Sequence, residues 1–151
     1  MCCRGIDCLI RFKAICIEHD CEVIQAIGTS SIRNATNGKK FIDEVETKLQ
    51  IPCRVIDGKQ EAEMIYKGVC LTTSFENKGL IMDIGGGSTE FIYADKSGIL
   101  KMKSFEIGVS RIYQKFQFSD PLSKDDIEKI FNYLDINTLS FFDDIECDDL
   151  F

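Results

Sequence analysis

The chain has 151 residues, 44% of them hydrophobic, so it is long enough to bury one ordinary core but short for two complete domains. The 18 Lys and Arg residues against 25 Asp and Glu residues give a net charge of -7, which disfavours a general nucleic-acid binder because both partners would be negative. The apolar runs fall far short of the ~20 residues that cross a bilayer, so we expect no membrane segment.

The 8 cysteines are irregularly spaced and we expect no signal peptide before them, which disfavours the disulfide framework of a small secreted protein. We therefore expect a cytoplasmic protein with reduced thiols that are buried and inert. A zinc cluster is disfavoured because it would need four thiolates from unrelated segments, with no CxxC pair and a single histidine, His19.

The first half of the chain is predicted to alternate between helix and strand. Apolar residues at helical spacing indicate helices, and short β-branched runs indicate buried strands. The predicted elements are a helix over 5–19, a strand over 23–27, a helix that ends before Pro52, a strand over 53–56 and a helix that begins after Asp57. This order predicts an α/β fold.

The second half is predicted to contain a strand that runs directly into a glycine-rich turn. Residues 79–84 are apolar except for Asp83, as expected of a strand covered on both faces. The elements predicted after the turn are a hairpin with strands over 91–94 and 99–107, a helix capped by Ser123 and a frayed acidic tail over 143–151.

The glycine-rich turn contains residue types suited to binding phosphate. Gly85, Gly86 and Gly87 have no side chains, so backbone N–H groups could approach phosphate oxygens, and Ser88 adds a hydroxyl donor. Asp83 is a carboxylate at the end of the strand, suited to Mg²⁺. The structural alternative is a tight glycine hairpin with a capping aspartate.

Two further residues have both a functional and a structural interpretation. Arg33 stands among hydroxyl residues after the first strand, and its guanidinium matches phosphate geometry, although a surface arginine beside a turn is the commoner outcome. Glu61 lies in the first turn of its helix, where it would either favour the helix dipole or act as a general base for water.

Three segments, in their order and spacing, closely resemble the exopolyphosphatase/guanosine pentaphosphate phosphatase family. They are Thr29 to Gly38, Val55 to Ala62 and Asp83 to Glu90. The segment Ile107 to Arg111 also resembles the family's following segment. The likeness runs from about Gly5 to Leu134 and so covers most of the chain.

This resemblance implies an actin- and sugar-kinase-like fold built of two ribonuclease H-like lobes with the active site between them. Residues 1–77 would be the C-terminal part of lobe one, and residues 78–151 the N-terminal part of lobe two. Family members remove the terminal phosphate of inorganic polyphosphate or of guanosine pentaphosphate with Mg²⁺. The resemblance does not decide between these two substrates.

The family motifs also imply roles for individual residues. By position, Glu61 matches the catalytic base and Arg33 matches the phosphate-site arginine. Asp83, Gly85, Ser88 and Glu90 match the second phosphate loop and its metal-side carboxylates, with Asp83 and Glu90 beside the metal. Two departures are Gln60 and Glu63, where the family commonly has an acid and an arginine, and the family's first phosphate loop has no counterpart before Arg4.

Two other functions remain open. A truncated chain could be an inactive phosphate-binding or protein-interaction remnant, whose exposed lobe surfaces would drive formation of a homodimer. An ATP-dependent kinase or actin-like ATPase of the same superfamily would need an adenosine pocket from the distal part of lobe two.

Overall fold

The computed structural model describes residues 2–151, and the chain divides into two compact units, Met1–Asp57 and Gly58–Phe151. We call these the first unit and the second unit. The helix that begins at Gly58 packs against strands of the second unit. The lobe boundary predicted between residues 77 and 78 stays a prediction.

The first unit is a small α/β arrangement built around two parallel strands. Its elements are α1 (Cys2–Glu18), β1 (Ala26–Gly28), α2 (Ser30–Arg33), α3 (Gly38–Leu49) and β2 (Cys53–Val55). Ala26 pairs with Cys53, and the two strands are joined through α2 and α3. The strand predicted from residue 23 begins only at Ala26, since Val23 is 73% exposed and lacks the burial that favours a strand.

The second unit is a mixed β-sheet with helices. Its elements are α4 (Gly58–Val69), β3 (Gly79–Ile84), β4 (Thr89–Asp95), β5 (Gly98–Phe105), α5 (Val109–Lys115), α6 (Lys124–Phe142) and β6 (Asp149–Leu150). The strand order is β5-β4-β3-β6, with β3, β4 and β5 antiparallel and β6 parallel to β3. The predicted α/β class, the hairpin and the helix capped by Ser123 are confirmed.

The two faces of this sheet pack into two separate cores, because successive side chains of a strand point to opposite faces. One core lies under α4 and comprises Ala62, Phe75, Ile81, Ile92 and Ala94. The other lies against α6 and comprises Leu80, Phe91, Tyr93, Phe105, Ile107 and Phe141. The strand β3 is therefore covered on both faces at its start, as predicted, whereas Met82, Asp83 and Ile84 at its end are exposed.

The prediction of a frayed tail is wrong, because residues 149–151 pair with β3. The Phe151 N–H donates to the Leu80 carbonyl at 2.9 Å, and the Met82 N–H donates to the Phe151 carbonyl at 3.0 Å. The Phe151 ring packs edge-on against Phe75, with ring centroids 5.1 Å apart. The acidic composition predicted fraying, but the open edge of β3 supplies backbone partners that composition does not reveal.

The prediction that the cysteines are buried is wrong for the thiols that the structure describes. Cys8, Cys21, Cys70 and Cys147 are exposed, and Cys16 and Cys53 are partly exposed. The side chains of Cys2 and Cys3 lie outside the described residues. Across residues 2–151, no helix is long and apolar enough to span a bilayer.

Candidate active site

A row of polar side chains crosses the sheet face that α4 covers. Asp83 on β3 pairs in register with Glu90 on β4, and Glu90 pairs with Ser104 on β5. Residues opposite each other on adjacent strands point to the same face. The Ser104 Oγ donates to Oε1 of Glu90 at 2.6 Å, and the Ser88 hydroxyl also hydrogen-bonds this carboxylate. Glu90 is only 1% exposed, whereas Asp83 is exposed.

The pKa of Glu90 shows which charges lie nearby. Burial raises this pKa above its ordinary value, the hydrogen bonds from Ser104 and Ser88 lower it, and the negative charges of Glu61 and Asp83 raise it again. Glu61 is half-buried in the first turn of α4, within electrostatic reach of Glu90. Three predicted site carboxylates therefore lie close together at one end of the sheet.

An internal hydrogen bond closes the glycine turn, and residues at the start of α5 bind it from one side. The Gly85 N–H donates to the Ser88 carbonyl at 2.9 Å, so this amide is used inside the turn. The carbonyls of Gly85, Gly86 and Gly87 accept bonds from residues at the start of α5. These bonds are Val109 N–H to Gly85 O at 3.0 Å, Ser110 N–H to Gly86 O at 2.9 Å, Arg111 N–H to Gly86 O at 3.2 Å and Arg111 Nε to Gly87 O at 3.0 Å.

This bonding determines where the amides of the turn point. In a planar trans peptide, the C=O of one residue and the N–H of the next point in opposite directions, and the peptides of this turn are trans. Because the three carbonyls face α5, the N–H groups of Gly86, Gly87 and Ser88 face away from it. Within residues 2–151, these three amides have no protein acceptor. Successive amides pointing the same way form a concave site for an anion.

The close contact between the turn and the start of α5 depends on a glycine that sequence reasoning did not assign to the site. A Cβ atom on Gly108 would lie 2.4 Å from the Gly86 carbonyl carbon and 2.5 Å from both the Gly86 oxygen and the Gly87 nitrogen. No side chain fits at Gly108 without moving the turn. Its sequence signal was the family-like segment Ile107 to Arg111, which reasoning from the residues left without a role.

Arg33 belongs to the first unit, where its guanidinium is bound to the main chain. Its Nη1 donates to the Ile56 carbonyl, just after β2, at 2.8 Å. The side chain is half-buried at the end of the four-residue helix α2. The guanidinium is thus fixed in position and is not a freely moving surface charge.

The carboxylates suit a cation that arrives with phosphate better than a permanent metal site. Within residues 2–151, no cluster of three or more His, Cys, Asp or Glu residues could hold a metal ion alone. Mg²⁺ is usually held by one or two carboxylates, waters and substrate phosphates. Asp83 is exposed and has the oxygen ligands that Mg²⁺ prefers, so the donor set fits this ion.

Comparison with known proteins gives a consistent result. The model of the Ppx/GppA phosphatase family matches residues 1–144. A putative exopolyphosphatase of Haemophilus influenzae is 34% identical over 117 residues, which is 78% of this chain and 36% of the relative. A guanosine-5'-triphosphate,3'-diphosphate pyrophosphatase of Aeromonas hydrophila is 36% identical over 105 residues, which is 70% of this chain and 21% of the relative.

Solved structures show the same fold. The crystal structure of an exopolyphosphatase from Cytophaga hutchinsonii matches with a TM-score of 0.89 and 38% identity, over 93% of this chain and 45% of that one. The Ppx/GppA family member of Aquifex aeolicus matches with a TM-score of 0.75 and 26% identity, over 99% of this chain and 48% of that one. The chain therefore spans less than half the length of these relatives.

Proposed function

Because the chain belongs to the Ppx/GppA phosphatase family, we propose that its second unit holds the water-activating and phosphate-binding groups of a phosphoanhydride hydrolase. The substrate would be the terminal phosphate of inorganic polyphosphate or of guanosine pentaphosphate, in keeping with the names of its relatives. The proposal depends on one observation, the position of Glu61 near Glu90. The Glu90 carboxylate accepts a hydrogen bond from the hydroxyl of Ser88, the last residue of the glycine turn.

In this reaction, a water molecule would attack the terminal phosphorus in line with the bond to the bridging oxygen. Glu61 would accept a proton from that water as the new P–O bond forms. The bond to the bridging oxygen would break, and the shortened chain would leave with the electron pair. The amides of Gly86, Gly87 and Ser88 would stabilise the negative charge on the equatorial oxygens, which is usually the largest catalytic effect.

The two predicted metal-side carboxylates would have different tasks. Asp83 is exposed and would hold Mg²⁺ directly or through water, and the bound ion would withdraw charge from the phosphate oxygens. Glu90 is buried and hydrogen-bonded to two serines, so its effect on the site would be electrostatic. Its negative charge would help to keep a cation at Asp83.

Arg33 would act as the phosphate-site arginine that the family resemblance implies. A guanidinium binds phosphate oxygens in a fixed two-pronged geometry. The bond to the Ile56 carbonyl uses one of the five N–H groups of this guanidinium. This role, like the cytoplasmic location inferred from the cysteines, stays a prediction.

A binding function without turnover is the second candidate, because apolar side chains are exposed on α6. Ile136 is 84% exposed and Leu139 is 63% exposed. Such a surface would favour association of two copies. The two candidates predict different results in the same assay.

Phosphate release from medium-chain polyphosphate and from guanosine pentaphosphate, with Mg²⁺ or with EDTA, tests the proposal. Hydrolysis is expected only with Mg²⁺ and is expected to fall by about 10²- to 10⁴-fold in Glu61→Gln. Binding of tripolyphosphate without phosphate release would instead favour the second candidate, and size-exclusion chromatography would then report dimerisation. If neither hydrolysis nor binding occurs, the proposal is wrong for this chain.

A further inference from the structure

Arg111 makes a contact with the glycine turn that differs from those of its neighbours. The carbonyls of Gly85 and Gly86 are held by main-chain N–H groups, which nearly any residue could supply. The Gly87 carbonyl is held by a side chain, the Nε of Arg111, at 3.0 Å across 24 residues of sequence. The direction of the peptide between Gly87 and Ser88 therefore depends on the identity of one side chain.

The Arg111 side chain is itself oriented by Glu106. The terminal nitrogen Nη2 of Arg111 forms an ion pair with the Glu106 carboxylate. An exposed ion pair of this kind adds little stability, since its side chains are 39% and 50% exposed. Its geometric effect is larger, because Arg111 then bonds the acid through Nη2 and the turn through Nε. The guanidinium plane is fixed in this way.

We propose that Arg111, oriented by Glu106, is a positioning residue that turns the Ser88 amide towards the bound phosphate. The inference rests on the proposed function, because the phosphate is the ligand that this amide would meet. Arg111 acts through the backbone: with the Gly87 carbonyl held, the Ser88 N–H points the opposite way. Without that bond, the glycine peptide would be free to rotate, and binding would have to order it again.

A direct role for Arg111 as a phosphate ligand predicts the opposite effect of releasing its ion pair. If Arg111 bound phosphate itself, Glu106→Gln would remove a competing negative charge and tighten anion binding. If Arg111 positions the turn, the same change would loosen the guanidinium and weaken binding. The sign of this single effect separates the two roles.

The test uses the ¹⁵N-labelled chain and tripolyphosphate as the probe, followed by amide NMR. Arg111→Lys keeps the positive charge but removes the Nε donor, so we expect binding roughly three- to tenfold weaker, as for the loss of one hydrogen bond. Glu106→Gln should weaken binding in the same direction. Arg54→Ala, which removes an exposed arginine of the first unit, is the control and should leave affinity at the turn unchanged.

The spectrum without ligand tests the inference separately from the proposed function. Losing the bond to the Gly87 carbonyl should shift the Ser88 amide resonance in Arg111→Lys. The amide resonance of Gly98, in the distant hairpin turn, should not shift. An unmoved Ser88 signal, or tighter binding in Glu106→Gln, would overturn the role given to Arg111. A wild-type chain that binds no tripolyphosphate, but whose Ser88 signal moves in Arg111→Lys, would overturn the proposed function alone.

Discussion

Ser104 holds the buried carboxylate of Glu90 through a hydrogen bond of 2.6 Å, from the strand next to it. An ionised carboxylate that is 1% exposed loses its hydration, and the free-energy cost is offset only where donors replace the water. Ser104 and Ser88 are those donors. The two serines therefore favour the charged form of Glu90, whereas its burial and the charges of Glu61 and Asp83 favour the neutral form.

Ser104→Ala is expected to raise the pKa of Glu90 further, because it removes a hydrogen bond that favours the charged form. With the folded pKa above the unfolded one, folding binds protons, and the free energy of unfolding falls as pH rises between the two pKa values. The variant should therefore be less stable than wild type above the pKa of Glu90, by about 1–3 kcal/mol. The difference should shrink as pH falls towards 4.5, the ordinary value for glutamate.

Urea unfolding from pH 4 to pH 8 would measure this effect. Ser104→Thr retains the hydroxyl and is the matched control, expected to follow wild type in its dependence on pH. A stability difference for Ser104→Ala that is the same at every pH would contradict the hydrogen bond to ionised Glu90 as its cause.

Glu61→Gln is expected to lower kcat by about 10²- to 10⁴-fold with a modest change in KM, because an amide cannot accept the proton of the attacking water. Initial rates of phosphate release from polyphosphate would measure it. Glu63→Gln, in the same helix, is the matched control and should keep most of the activity. Equal losses in the two variants would remove Glu61 from the proton transfer.

Gly108→Ala is expected to displace the glycine turn, because the added Cβ would overlap the main chain of Gly86. Overpacking of this kind typically costs about 1–3 kcal/mol of stability. The midpoint temperature of thermal unfolding and the affinity for tripolyphosphate should both fall. Gly68→Ala serves as the control, because a Cβ at Gly68 meets no atom within 4 Å. Wild-type affinity in Gly108→Ala would show that the turn does not bind the anion.

Asp126→Asn is expected to destabilise the second unit around the start of α6. Hydrogen bonds from Ser119 and Ser123 hold the pKa of Asp126 far below its ordinary range, and Ser123 and Asp126 form the capping box of the helix. A lowered folded pKa adds stability that is present above the unfolded pKa and lost as pH falls through the folded pKa. The deficit of Asp126→Asn should thus be full at pH 7 and shrink below about pH 4.

Chemical denaturation of wild type and Asp126→Asn at pH 7 and below about pH 4 would check this effect. Asp125→Asn, at the neighbouring position in the first turn of the same helix, is the control and should cost little. A deficit that grows as pH falls would mean that Asp126 is not held ionised by the two serines.

Local patterns in the sequence predicted most of the fold and the position of the glycine turn. β3 and the hairpin after it follow from an apolar run and turn residues, and α6 follows from Ser123 and helical spacing. The same patterns placed Glu61 in the first turn of a helix. Each of these signals is contained in a few neighbouring residues.

Contacts between distant segments had no such signal. β6 is two residues long, which is too short for periodicity, and it forms only because the edge of β3 accepts it. The bond from Arg111 to Gly87 joins residues 24 apart and depends on where α5 begins. The burial of Glu90 likewise depends on α4 and β5 covering it, whereas the motif alone predicted the same metal-side role for Glu90 and Asp83.

The late position of β6 in the chain has a consequence for the order of assembly. The antiparallel strands β3, β4 and β5 are joined by short turns, so they can pair before the later elements are made. β6 must return to β3 after both α5 and α6 have been made. During synthesis on the ribosome, the edge of β3 from Gly79 to Met82 would therefore stay open until residues 149–151 have been made, and until then self-association could begin there.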